Sequence, residues 1–138
     1  MARRKSRILA FQALYSWDVG KEPLDTIVTF SWAAPESLER LGEDGVLFSK
    51  LLVVGTIEHV AEIDALIRAY VSAWDFDRIS RVDLAILRIS VYALLYQKDI
   101  HPSIIIDEAV SIAKEFGKDD AYKFINAVLD NIKKATVK

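Results

Sequence analysis

The chain has 138 residues, no cysteine and 52% hydrophobic residues, and its 18 Lys and Arg face 20 Asp and Glu for a formal net charge of −2. The missing cysteine excludes disulfides, thiolate metal sites and a cysteine nucleophile, while the composition excludes collagen-like and disordered classes. The length suits one domain, residues 1–138, and since no apolar run approaches the ~20 residues of a membrane span and no export signal is evident, we expect a cytoplasmic protein.

A basic segment, residues 3–7, precedes the first predicted helix. The first seven residues carry four basic side chains and no acid, the last six carry three lysines, and residues 8–132 have a formal charge of −9. Such a segment can bind phosphates at one place while the acidic body repels them elsewhere, although basic termini are often only solvated. Apolar residues at helical spacing then predict a helix from Ser6 to about Gly20.

The middle of the chain is harder to divide into elements. Residues 24–32 suit one short helix, while proline and glycine interrupt the stretch that follows, up to residue 45. From 46 to 73 apolar side chains recur at helical spacing, which predicts a third helix. Gly55 lies within it, where a glycine indicates either close packing or a bend.

Three further helices are predicted in the C-terminal half. Residues 79–96 are apolar nearly all round, which is typical of a helix at the centre of a bundle. Residues 103–116 form the next helix, capped by Gly117. Asp119 or Asp120 can cap the last helix, which has Phe124 or Ile125 on its core face. No strand-like alternation of useful length occurs. The sequence therefore predicts an all-α fold, a single compact bundle of about six to seven helices.

Catalytic and metal-binding patterns are weak. Glu58, His59 and Glu62 can be imagined as metal ligands, but the Glu-x-x-His pairs of bundle di-metal sites are absent, so a solvated charged face is the better interpretation. Asp107 and Glu108 lie near a helix start, where acids interact favourably with the helix dipole. No Gly-rich phosphate loop occurs. We expect no enzymatic activity, no metal and no cofactor.

Basic and aromatic residues occur together at two predicted helix starts. The basic segment leads into a helix with Phe11, Tyr15 and Trp17, and residues 116–124 read Phe-Gly-Lys-Asp-Asp-Ala-Tyr-Lys-Phe. Single-stranded RNA is held by cationic groups and helix N-termini on its phosphates and by aromatic faces on its bases. These residue types suit RNA, but on the pattern alone the aromatic residues also suit core positions, and the lysines solvated surface.

Four motifs form an ordered series over most of the chain. They are Arg-Arg-Lys-Ser-Arg at 3–7 with Ala-Phe-Gln-Ala-Leu-Tyr-Ser-Trp at 10–17, Arg-Val-Asp-Leu-Ala-Ile-Leu-Arg-Ile at 81–89, Ile-Asp-Glu-Ala-Val at 106–110 with Ala-Lys-Glu-Phe-Gly at 113–117, and Asp-Ala-Tyr-Lys-Phe-Ile-Asn-Ala-Val-Leu-Asp at 120–130. The series resembles the bacterial transcription antitermination factor NusB family. One departure is Ala127, where the family often has glycine.

The resemblance implies an all-helical RNA-binding factor that pairs with NusE, a small-subunit ribosomal protein. The pair would bind the single-stranded boxA element of nascent ribosomal RNA leaders. It would then join RNA polymerase with NusA and NusG and promote processive transcription of ribosomal RNA operons. No membrane is implied, and because some relatives form homodimers, self-association stays open.

The resemblance also implies site residues by position. It assigns RNA binding to a mixed set of basic, aromatic and acidic side chains: Arg3, Arg4, Lys5, Arg7, Tyr15, Phe116, Lys118, Asp120, Lys123 and Phe124. It assigns Asp77 and Asp83 to the surface that faces NusE, where acidic groups suit a basic ribosomal protein. Two alternatives stay open: a helical protein-interaction module whose basic segment is idle, and an accessory domain of an RNA methyltransferase, which would need a glycine-rich methyl-donor site elsewhere.

Overall fold

The computed structural model describes residues 3–136, and for residues 73 and 74 it describes the backbone alone. Within this range the regular elements are all helices: α1 (Arg4–Val19), α2 (Leu24–Ile27), α3 (Pro35–Glu58), α4 (Val60–Tyr70), α5 (Ala73–Arg78), α6 (Arg81–Tyr96), α7 (Pro102–Phe116) and α8 (Ala121–Thr136). The all-α prediction is confirmed. In this part of the chain, none of the helices has the length and apolar character needed to cross a membrane.

The α6 helix lies at the centre of the bundle. It contacts α1, α3, α4, α7 and α8, and residues 84–91 are all buried. Two of these buried residues are polar. Ser90 donates its hydroxyl to the carbonyl of the preceding turn (2.8 Å), and Arg88 forms ion pairs with Asp64 of α4 and Asp18 of α1. The apolar pattern of 79–96 correctly predicts a central helix.

The predicted helix over 46–73 is divided in the structure. Its backbone leaves the helical conformation at His59 (φ −110°, ψ 16°), between α3 and α4. The short α5 was not predicted. Its N-terminus is fixed by Ser72, whose hydroxyl accepts a hydrogen bond from the Asp75 N–H at 3.0 Å, as a helix cap does. The division and α5 are why the described residues hold eight helices rather than about six to seven.

Two glycines of α3 have distinct roles. Gly42 has a φ of 73°, a value that disfavours a side chain, and α3 bends there. Gly55 packs against α6, because a Cβ at this position would overlap the ring of Tyr92. Of the two roles that the sequence allows for Gly55, the structure therefore supports close packing.

The two C-terminal helices follow the sequence prediction closely. α7 begins at Pro102, where His101 Nδ1 accepts a hydrogen bond from the Ser103 N–H at 3.1 Å. The Gly117 N–H caps its last turn by donating to a carbonyl at 2.8 Å. On α8 the core position belongs to Ile125, which is fully buried, whereas Phe124 is half-buried.

Candidate RNA-binding surface

α1 and α7 lie side by side and bring two distant parts of the chain together. Arg4 Nε donates to Glu108 Oε2 at 2.7 Å, and the Phe11 and Phe116 ring centroids are 5.1 Å apart. Both contacts advance in the same direction along the two helices, so the helices run parallel. At 1.5 Å per residue, Arg4 lies about 10 Å along α1 from Phe11. The two helix regions singled out in the sequence therefore share one side of the bundle.

Arg3 and Arg7 both lie against Phe48 of α3. Their guanidinium carbons are 4.8 Å and 5.3 Å from the centroid of its ring, distances at which a cation is attracted to an aromatic face. Arg7 is only 2% exposed, and burial lowers its pKa from the usual value. In this conformation the Arg7 side chain therefore attaches α1 to α3, while Arg3 stays partly exposed.

Arg4 and Lys5 remain accessible to solvent. The Arg4 side chain is 55% exposed although it pairs with Glu108, whose side chain is 5% exposed; the hydrogen bond to this carboxylate raises the pKa of Arg4. The sequence interpretation of Asp107 and Glu108 as acids at a helix start therefore does not describe Glu108, which is a buried partner of α1. Lys5 is exposed and lines a groove beside α1.

Exposed aromatic rings continue this side of the molecule. Tyr15 is 37% exposed and Phe116 is 38% exposed. Tyr15 lines a shallow groove of about 370 Å³ together with Phe11 of its own helix, Trp32 from the turn before α3, and Val82 of α6. The groove connects the aromatic residues of α1 with the N-terminus of α6, where the next group of predicted residues begins.

Lys118 and Phe124 line a hollow of about 600 Å³, called here the Lys118 hollow, between the N-terminus of α6 and the start of α8. Asp83 and Tyr70 line it as well. Asp83 Oδ1 is buried and accepts no hydrogen bond from the described residues. Burial raises the pKa of Asp83, while the hydrogen bond to Ser80 and the charge of Lys118 act in the opposite direction. The hollow therefore joins two predicted RNA-binding residues to one predicted partner-binding residue.

The remaining predicted residues lie outside this hollow. Asp120 and Lys123 pair with each other at 3.7 Å at the start of α8, with side chains 87% and 68% exposed. Asp77 is exposed on α5. The sequence interpretation missed Trp32, which is 42% exposed and lines two neighbouring grooves. The sequence analysis placed Trp32 at the end of one short helix over 24–32, but α2 ends at Ile27 and Trp32 lies in the turn that follows.

His59 and Glu62, two of the three residues considered as metal ligands, both contact Tyr96. His59 stacks on Tyr96 with ring centroids 4.3 Å apart, and Glu62 accepts a hydrogen bond from the Tyr96 hydroxyl. Within residues 3–136 there is no grouping of three or more His, Asp or Glu side chains able to hold a metal ion.

Comparison with known proteins identifies the family to which this architecture belongs. The model of the NusB family matches residues 4–134. The chain belongs to the NusB family. Transcription antitermination protein NusB of Treponema denticola is 54% identical over 133 residues, covering 96% of each chain, and that of Treponema pallidum is 49% identical over 138 residues, covering 98% of this chain and 94% of the relative.

Solved NusB-family structures have the same fold. NusB of T. maritima superposes with a TM-score of 0.86 at 34% identity, covering 99% of this chain and 93% of the other. A second match, a crystal structure of antitermination factors NusB and NusE in complex with dsRNA, has a TM-score of 0.82 at 30% identity and covers 97% of both chains. The NusB-like motifs of the sequence fall on α1, α6, α7 and α8, the helices that build most of the surface described above.

Proposed function

We propose that this chain is a transcription antitermination factor that acts in the cytoplasm and binds single-stranded boxA RNA together with NusE. In this role the pair joins RNA polymerase with NusA and NusG and promotes processive transcription of ribosomal RNA operons. The observation that carries the proposal is the parallel packing of α1 and α7, through Arg4–Glu108 and Phe11–Phe116, which brings separate basic and aromatic residues onto one side.

The accessible groups on this side match the chemistry of single-stranded RNA. Arg3, Arg4 and Lys5 offer cationic groups for phosphates at the start of α1, and Lys118 and Lys123 do so near the start of α8. Tyr15, Phe116 and Phe124 expose part of their rings, on which bases can stack. In this proposal Arg7 does not contact RNA but holds the start of α1 in place. Its guanidinium is buried against Phe48, and its backbone N–H donates to the Arg3 carbonyl at 3.0 Å.

Asp77 and Asp83 are the residues proposed to face NusE. Asp77 is exposed, and Asp83 has a half-buried carboxylate with an oxygen that accepts no hydrogen bond from the described residues. A cationic side chain of a basic partner would relieve the cost of burying this carboxylate. Because Asp83 shares the hollow with Lys118, bound NusE would adjoin the RNA, which supports coupled binding of the two.

The test measures binding of a short boxA RNA to the protein in the presence of NusE, over a series of salt concentrations. We expect Lys118→Ala to weaken binding and to reduce the magnitude of the salt slope by about 0.7, the value for one lost phosphate contact with a single strand. The matched control is Lys98→Ala, which removes an exposed lysine beyond the opposite end of α6 and should leave both quantities unchanged.

A Tyr15→Ala variant tests base stacking in the same assay. We expect its affinity to fall by the equivalent of about 1 to 3 kcal/mol with little change of salt slope, because stacking involves no counterion release. If neither variant changes RNA binding, these two side chains are not part of the RNA site. If no RNA binds while NusE still binds, the alternative of a protein-interaction module is favoured and the RNA-binding proposal is wrong.

A further inference from the structure

A groove between α1 and the N-terminal part of α3, called here the Trp32 groove, extends the proposed surface beyond the residues assigned above. It has a volume of about 460 Å³ and is lined by Lys5, Gln12, Trp32, Ser37 and Arg40 together with apolar side chains. Two basic side chains and no acidic one line it. Trp32 and Gln12 also line the neighbouring groove that contains Tyr15, so the two grooves adjoin.

The indole of Trp32 is held in a fixed orientation. Its Nε1–H donates to the Ile27 carbonyl at 3.1 Å, and its ring meets the Phe30 ring edge-on with centroids 5.8 Å apart. Phe30 is 1% exposed and has a φ of 54°, a left-handed conformation that is unfavourable for a bulky residue. The strained turn at Phe30 thus precedes Trp32, whose side chain stays 42% exposed beside α1. Such strain is concentrated at ligand-binding positions.

We propose that the Trp32 groove is a nucleotide subsite, in which the indole stacks on a base that flanks the boxA sequence in the same RNA strand. Lys5 and Arg40 would bind the adjacent phosphates, and Gln12 and Ser37 offer hydrogen-bonding groups for a base edge or sugar. The inference rests on the proposed function. The groove adjoins the one that contains Tyr15, and two basic side chains and no acidic one line it, which favours RNA over a protein as its occupant.

The experiment compares two RNAs in the presence of NusE: the boxA element alone, and the same element extended by several unpaired nucleotides on both sides. We expect the wild-type protein to bind the extended RNA more tightly. Trp32→Ala should remove this advantage, weakening the binding of the extended RNA by about 5- to 150-fold if one stacked base is lost, and should weaken the binding of the short RNA by a smaller factor. Tyr96→Ala, which truncates an exposed ring at the opposite end of α6, is the matched control and should retain the advantage.

A second variant tests the phosphate contact and does not depend on the tryptophan turn. Arg40→Ala should reduce the magnitude of the salt slope by about 0.7 for the extended RNA only, whereas Lys50→Ala, an exposed lysine on the same helix, should not. Trp32 fluorescence, obtained as the difference between wild type and Trp32→Phe, should be quenched more strongly by the extended RNA than by the short one.

The outcomes separate this inference from the proposed function. If the wild type binds both RNAs equally, or if Trp32→Ala keeps the advantage of the extended RNA, the subsite is refuted and boxA binding stands. If Trp32→Ala weakens NusE binding in the absence of RNA, the groove is a protein site and the inference is wrong. If the wild type binds neither RNA with NusE present, the proposed function fails and the subsite fails with it.

Discussion

Replacing Asp64 with alanine is predicted to destabilise the protein by about 3 kcal/mol. The Asp64 carboxylate receives two hydrogen bonds from the Arg88 guanidinium, Nε to Oδ1 at 2.9 Å and Nη2 to Oδ2 at 2.8 Å. The two side chains are 15% and 8% exposed. Removing one partner of a buried pair costs about 3 to 5 kcal/mol because the other charge remains buried. Asp18, whose Oδ2 is 3.7 Å from Arg88 Nη1, offsets part of this cost and favours the lower end.

Urea denaturation followed by circular dichroism measures this effect. In thermal unfolding of a chain of this length, the same 3 kcal/mol corresponds to a fall in Tm of about 10 °C. The control Asp107→Ala removes an exposed carboxylate and should stay within about 0.5 kcal/mol of wild type. A double variant, Asp64→Leu with Arg88→Met, should recover most of the loss since no unpaired guanidinium is left buried. An Asp64→Ala variant as stable as the control would refute the assigned role of the ion pair.

Two further variants probe packing and charge. Gly55→Ala should lower the free energy of unfolding, measured in urea, by about 1 to 3 kcal/mol, since its Cβ would overlap the Tyr92 ring. This cost outweighs the gain of about 1 kcal/mol in helix propensity. A variant more stable than wild type would contradict the close approach of α3 and α6. Asp83→Asn should be more stable than wild type at pH 7 and equal to it near pH 3. Burial raises the folded-state pKa of Asp83, so the wild type loses the stability associated with the protonated carboxyl as pH rises through that pKa. The asparagine variant stays neutral and keeps this stability. An advantage that persists at low pH would refute this cause.

Helices with a strong local apolar pattern were predictable because that pattern alone decides them. Residues 79–96 are apolar nearly all round, and the structure buries α6 at the centre. The break at His59 lies within a continuous apolar pattern, so the periodicity of the sequence gives no sign of it. α5 is six residues long, too short for periodicity to reveal, although the spacing of Ser72 and Asp75 resembles a helix cap.

The site was predictable in its residue types and less so in its geometry. The resemblance identified Lys118 and Asp83 separately, but their meeting in one hollow depends on how α6 packs beside the start of α8. Arg7 belongs to a basic run that looks uniformly solvated, and its burial depends on Phe48, more than forty residues away in sequence. Trp32 ends the short helix predicted over 24–32, but α2 ends at Ile27, so only the folded turn reveals the exposed ring.

The most direct test of the central claim is the affinity of the protein with NusE for boxA RNA, compared with an RNA of the same length and composition in scrambled order. Measured near 0.15 M salt, binding of boxA RNA should be at least about tenfold tighter, which corresponds to about 1.4 kcal/mol of recognition beyond charge. Equal affinities for the two RNAs would contradict the account, because the surface would then act only as a cationic patch.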